Sequence, residues 1–196
     1  MFDLTHILSL YRDSGQLLNS GRFGRGLWPV EPEFGQLMAY LIRLFELKRG
    51  IEIGAGVGFS TAWLASAFAE NGGELLTFEY FPPKIAQLER NMASLFGKYD
   101  RFLQLYPTDI GRAIDKLGSR KFDFVFLDQR KSDYLPHLQL LLPKLKRGAF
   151  ICADNVSSHV GACQPYLQFV RRNKQFESFY LDQGAGLEIS RLKPIS

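Results

Sequence analysis

Glu52-Ile53-Gly54-Ala55-Gly56-Val57-Gly58-Phe59-Ser60 joins a short apolar run, Gly50–Ile53, to a helical one, Ser60–Ala69. Three glycines in five residues let the backbone turn tightly and approach a ligand closely. The helix beginning near Ser60 presents free N–H groups to an anion such as a carboxylate or phosphate. A strand, a glycine loop and a helix in this order mark a ligand-binding turn more often than a plain one.

Outward from this stretch the same alternation continues. Strands are expected at Leu75–Phe78, Arg101–Tyr106, Phe122–Leu127 and Ala149–Ala153, separated by helices at Pro82–Leu95, Ile110–Leu117 and Leu135–Leu145. Phe-Asp-Phe-Val-Phe-Leu at 122–127 reads as a buried strand. A helix at Pro165–Arg172 precedes Phe176–Leu181 and Leu187–Leu192, an antiparallel pair around Gln183-Gly184-Ala185-Gly186. The fold class is therefore α/β, a Rossmann-like doubly wound sheet of about seven strands. It is mostly parallel with an antiparallel edge strand, and helices cover both faces.

Upstream, Leu4, Ile7, Leu8 and Tyr11 give Phe2–Leu18 a helical spacing. A basic, glycine-rich loop follows at Ser20–Gly26, of the kind that covers a site. Pro32 opens a second helix with Phe34, Leu37, Met38, Leu41, Ile42 and Phe45 on one side. Residues 1–196 read as one domain, with 1–31 as an N-terminal helix and covering loop that serves either as a lid or as a homodimer contact.

Bulk properties narrow the function classes. Hydrophobic residues make up 46% and charged residues 22%, an ordinary globular composition. The net charge of +4 is scattered; Lys144, Lys146 and Arg147, the densest basic stretch, read as a helix C-terminus. Neither a membrane nor a nucleic-acid partner is expected: no apolar run reaches a span's length, and no basic stripe or RNA-binding module is visible. Two isolated cysteines and the absence of a signal-peptide pattern point to the cytoplasm.

Ligands in such sheets bind beyond the carboxyl ends of the strands. After the second strand, Glu79-Tyr80 offers a carboxylate that can accept from both hydroxyls of a ribose. After the third, Asp109 is a helix N-cap, a ligand for an adenine amino group, or both. After the fourth and fifth come Asp128-Gln129-Arg130-Lys131 and Asp154-Asn155. Two carboxylates ending neighbouring strands repel unless a positive charge lies between them. With the Asn155 amide they form an oxygen-only set suited to Mg²⁺, Mn²⁺ or Ca²⁺. Lys131, three residues past Asp128, is placed to act as a general base. His6, His137 and His159 are scattered and receive no role.

These residues resemble the catechol and caffeoyl-CoA O-methyltransferase group of class I methyltransferases, from about Trp28 to Leu192. The resemblance rests most on Val125-Phe126-Leu127-Asp128-x-x-Lys131-x-x-Tyr134-Leu135-Pro136 and on Ala153-Asp154-Asn155-Val156. It implies S-adenosylmethionine and Mg²⁺ as cofactors and a small hydroxylated molecule as substrate. Asp128, Asp154 and Asn155 would bind the metal, with Lys131 as base. Glu79 and Tyr80 would hold the ribose. Glu52, Gly54, Gly56, Gly58, Ser60 and Val30 would hold the methionine end. Trp28 would guard the pocket mouth, and Glu188 would touch a second substrate hydroxyl. The catechol enzyme typically has His-Trp where this chain has Gln129-Arg130, so Arg130, with Arg22 or Arg25, is expected to pair with an acidic group on the substrate.

Two other enzyme classes use parts of the pattern. A nicotinamide-dependent oxidoreductase also needs a glycine loop and a carboxylate after the second strand. The loop lacks the G-x-G-x-x-G spacing, and Asp128, Asp154 and Asn155 would go unexplained. An RNA methyltransferase would suit the basic balance alone. A protein that binds the cofactor without turnover would have no use for the metal set and Lys131.

Overall fold

Arg49–Ile53 (β1) is an interior strand of a seven-stranded sheet in the computed structural model, which describes residues 4–19 and 28–194. The other strands are Glu74–Phe78 (β2), Leu103–Tyr106 (β3), Phe122–Leu127 (β4), Leu145–Ala153 (β5), Phe176–Leu181 (β6) and Leu187–Leu192 (β7). The helices are Leu4–Asn19 (α1), Pro32–Leu44 (α2), Phe59–Glu70 (α3), Pro82–Phe96 (α4), Ile110–Ala113 (α5), Tyr134–Leu141 (α6) and Val160–Arg172 (α7). The order is β3-β2-β1-β4-β5-β7-β6. β1 to β5 run parallel, and β7 returns antiparallel between β5 and β6. The chain winds outward from β1 in one direction and from β4 in the other, which leaves a crevice at their carboxyl ends.

Side-chain alternation builds two cores. Phe124, Phe126 and Cys152 face α2 and α3, while Val125, Leu127 and Ile151 face α6 and α7. α3 has no polar side: Phe59 through Phe68 are all buried, with the sheet beneath and α1 and α2 above.

Phe122 and Phe124 are two residues apart yet belong to opposite cores, because a register irregularity lies between them. The same irregularity directs Asp123 to the start of β1. Its carboxylate accepts from the Arg49 N–H at 2.8 Å and the Lys48 N–H at 3.2 Å, and pairs with Lys146 at 2.7 Å. Asp123→Ala orphans these donors and is expected to cost about 2–4 kcal/mol in urea denaturation, with Asp123→Asn intermediate. A loss below about 1 kcal/mol would show that water replaces the carboxylate.

Two boundaries correct the sequence reading. Lys146 and Arg147 do not end a helix: α6 stops at Leu141, Pro143 sits in a tight turn, and β5 begins at Leu145. Proline lacks the N–H that the next helical turn would need. α7 begins at Val160 and carries Pro165 inside it, one backbone bond poorer, where the sequence suggests a start at Pro165. The Ser20–Gly26 loop, with Arg22 and Arg25, lies outside the described residues. Among those described, no helix is long and apolar enough to cross a membrane.

Candidate active site

The crevice at the ends of β1 and β4 opens into a cavity of about 1070 Å³. The glycine loop forms one wall, and its glycines do different work. Gly54, at φ +95°, lies so close to the Asp128 carbonyl that a Cβ would collide with it. Gly58, at φ +98°, faces away from the cavity, where a Cβ would meet Leu88 at 2.6 Å and Met92 at 2.8 Å. It packs the loop onto α4. Gly56 N–H donates to Glu79 Oε2 at 3.0 Å.

Glu79 is the fixed point of the second wall. Its Oε1 accepts from the Tyr80 and Phe81 N–H groups at 2.8 and 2.9 Å. Three backbone donors thus hold one carboxylate and leave lone-pair capacity for a ligand. Tyr80 stands exposed beside it on the cavity wall.

Glu52 is not on the wall. It is wholly buried beneath the loop and accepts from Ser60 Oγ at 2.6 Å, Thr61 Oγ1 at 2.7 Å and Thr77 Oγ1 at 2.5 Å. Those hydroxyls tie it to α3 and β2, so it braces β1, β2 and α3 from beneath the loop. Burial raises its carboxyl above the usual range, against the pull of the three hydroxyls. Ser60 reaches the wall, as does buried Val30.

Asp109 caps α5 by accepting the Gly111 N–H at 2.7 Å and also lines the cavity. His137 stands 3.7 Å from it and is tied to the Gln129 amide at 3.1 Å.

At the other end of the cavity, Leu127 pairs with Ala153, which makes Asp128 and Asp154 neighbours across two strand ends. Lys131 Nζ donates to Asp128 Oδ1 and to Tyr134 Oη, both at 2.8 Å. Tyr134 Oη in turn donates to the Asp154 main-chain carbonyl at 2.9 Å. Asp154 Oδ1 is buried and has no hydrogen-bond partner. Burial pushes the Asp154 carboxyl up to about 7, with the charge of Asp128 adding to the effect. Asp128 is raised by burial too, although Lys131 opposes the rise. Asn155 adopts a left-handed φ of +56°, which asparagine tolerates, and reaches the cavity wall. Among the described residues, no three His, Cys, Asp or Glu side chains converge as a metal site. The oxygen set here is two carboxylates and an amide.

Trp28, 55% exposed, meets His159 on the cavity wall with tilted rings whose centroids are 5.5 Å apart. Arg130 lines the cavity with its side chain 72% exposed and lies 3.9 Å from Asp133. Glu188 is fully buried in β7, where Arg171 binds both its oxygens at 2.9 and 2.6 Å. Sequence reasoning overlooked Tyr134 as a partner of Lys131, although a spacing of three residues on a tight turn signals such a pair. It also overlooked His159, Lys84 and Arg112 on the wall, which nothing in the sequence distinguishes from surface residues.

Residues 51–156 match a family model described as a methyltransferase domain. A catechol O-methyltransferase of Niastella koreensis is 34% identical over 135 residues, covering 65% of this chain and 58% of that protein. One from Mus musculus is 32% identical over 152 residues, covering 73% of this chain and 54% of that protein. The chain thus spans a little over half the length of these relatives. Among solved structures, the O-methyltransferase TomG from Streptomyces achromogenes in complex with SAM superposes with a TM-score of 0.82 at 20% identity, covering 99% of this chain and 92% of that one. An O-methyltransferase from Bacillus cereus in complex with SAH gives 0.82 at 16% identity, covering 97% and 92%. These two likenesses bear on the fold, and the family match spans more than half of the sequence. With the glycine loop and both aspartate-bearing strand ends inside the matched segment, the chain belongs to the methyltransferase-domain family.

Proposed function

We propose that this protein transfers a methyl group from S-adenosylmethionine to a hydroxyl of a small catechol-like or vicinal-diol molecule, with a divalent cation such as Mg²⁺ at Asp128, Asp154 and Asn155. The observation that carries the reading is the partnerless, buried Asp154 Oδ1, between Asn155 and the neighbouring strand end of Asp128, both of which line the cavity. A carboxyl that burial pushes up to about 7 returns to its charged form when a cation sits against it. When bound, the cation lowers the pKa of a chelating hydroxyl and fixes its position.

The protein's own groups do the rest. Glu79 accepts from the ribose, Asp109 faces the adenine amino group, and the first N–H groups of α3 face the methionine carboxylate. Lys131 takes the proton of the reacting hydroxyl, and the oxygen then attacks the methyl group in line with the departing sulfur. The names of the relatives support this substrate class.

The test is transfer of labelled methyl from S-adenosylmethionine to a panel of catechols and vicinal diols, with Mg²⁺ or with EDTA. Transfer that EDTA abolishes supports the reading; transfer that survives EDTA removes the cation from it. Arg130, exposed at the wall, is proposed to select substrates bearing an acidic group. Arg130→Ala is expected to lower kcat/KM about tenfold for 3,4-dihydroxybenzoate, with little change for catechol itself. An equal loss on both would sink the selective role.

A further inference from the structure

We infer that Tyr134 is a positioning residue that holds the Lys131 amine in a single orientation toward the cavity. The inference rests on the proposed role of Lys131 and extends it to a residue that does not touch substrate.

Tyr134 is completely buried, and its ring is set edge-on against Tyr166 with centroids 5.7 Å apart. Its hydroxyl has one hydrogen, and that hydrogen goes to the Asp154 carbonyl at 2.9 Å. Toward Lys131 it can therefore only accept, and it does so at 2.8 Å. Nζ is held on its other side by Asp128 Oδ1, also at 2.8 Å. Its side chain is 12% exposed and Lys131 lines the cavity. A tetrahedral nitrogen with its stem and two hydrogens committed has one direction left, and this one faces the ligand space. Lysine stems ordinarily sample many rotamers; here two acceptors, one just past β4 and one at the start of α6, remove that freedom before substrate arrives. Asp128 alone could not do so, because a single acceptor lets Nζ swing about the bond.

Two readouts test the inference. In ¹⁵N-lysine-labelled full-length protein, the Nζ hydrogens of Lys131, assigned by their loss in Lys131→Arg, are expected to exchange with water more slowly than those of exposed lysines. Tyr134→Phe is expected to speed that exchange about tenfold, while Tyr166→Phe, in the same core, leaves it unchanged. In the methyl-transfer assay Tyr134→Phe is expected to lower kcat about 10–100-fold at nearly constant KM, and to add nothing in a Lys131→Met background. Unchanged exchange in a folded Tyr134→Phe protein would overturn the inference, as would an additive loss in the double variant. Full activity of Lys131→Met would defeat the base reading instead, and the exchange readout would still decide the positioning of Nζ.

Discussion

Lys131→Met is expected to slow methyl transfer by about 10²–10⁴-fold, the range a positioned general base supplies. Methionine keeps the length and much of the apolar stem but has no nitrogen to accept a proton. Binding of S-adenosylhomocysteine, followed by calorimetry, should stay within about twofold, because the groups proposed to hold it are Glu79, Asp109 and the glycine loop. Cation affinity should rise, since Asp128 Oδ1 loses the ammonium that now occupies it at 2.8 Å. A variant that loses affinity for S-adenosylhomocysteine, and keeps its rate at saturation, would show Lys131 to be a binding residue. The combination of a slow step, intact binding and a tighter cation separates chemistry from architecture.

Asp154 is expected to make the cation-free protein less stable as pH rises, the reverse of ordinary acid denaturation. Its carboxyl sits near 7 in the fold, well above the unfolded value of about 3.9. A carboxyl with a raised folded pKa keeps a proton that the unfolded chain has released. Stability from this group is therefore whole below about pH 4 and declines as pH rises toward 7. Above that, a penalty on the order of a few kcal/mol remains. Asp128 and Glu52 are raised in the same direction and steepen the trend. Thermal unfolding in EDTA should show the fall, and saturating Mg²⁺ should reverse it at pH 8 far more than at pH 5, with proton release on binding at pH 6. Asp154→Asn should flatten the profile in EDTA, raise Tm at pH 8, and abolish both the Mg²⁺ stabilisation and the methyl transfer. A profile of wild-type protein that Mg²⁺ does not alter at any pH would leave Asp154 without a cation to bind.

Much of this organisation is legible in the sequence because strand ends are local. Glu79, Asp109, Asp128 and Asn155 reach the cavity since each follows an apolar run whose direction the alternation of strands and helices sets. What stays hidden depends on partners far away along the chain. Glu188 looks like a free carboxylate until β7 turns between β5 and β6 and brings Arg171 onto it. Glu52 looks unpartnered until Thr77, 25 residues on, closes over it with Ser60 and Thr61. Asp123 gives no local sign that an irregular register turns it onto the start of β1. Proline misleads in both directions: Pro143 ends its helix, whereas Pro165 is carried inside one.

The uniform burial of α3 bears on how this protein could be divided or transplanted. Every proposed chemical group lies after Trp28, and most lie between β1 and Asn155, yet that stretch is not autonomous. Stripped of α1 and α2, α3 would present Trp63 and its apolar neighbours to water, and the glycine loop it anchors would rest on an unsupported helix. Moving the site into another protein therefore means moving the two leading helices with it, as scaffolding that contributes shelter more than chemistry.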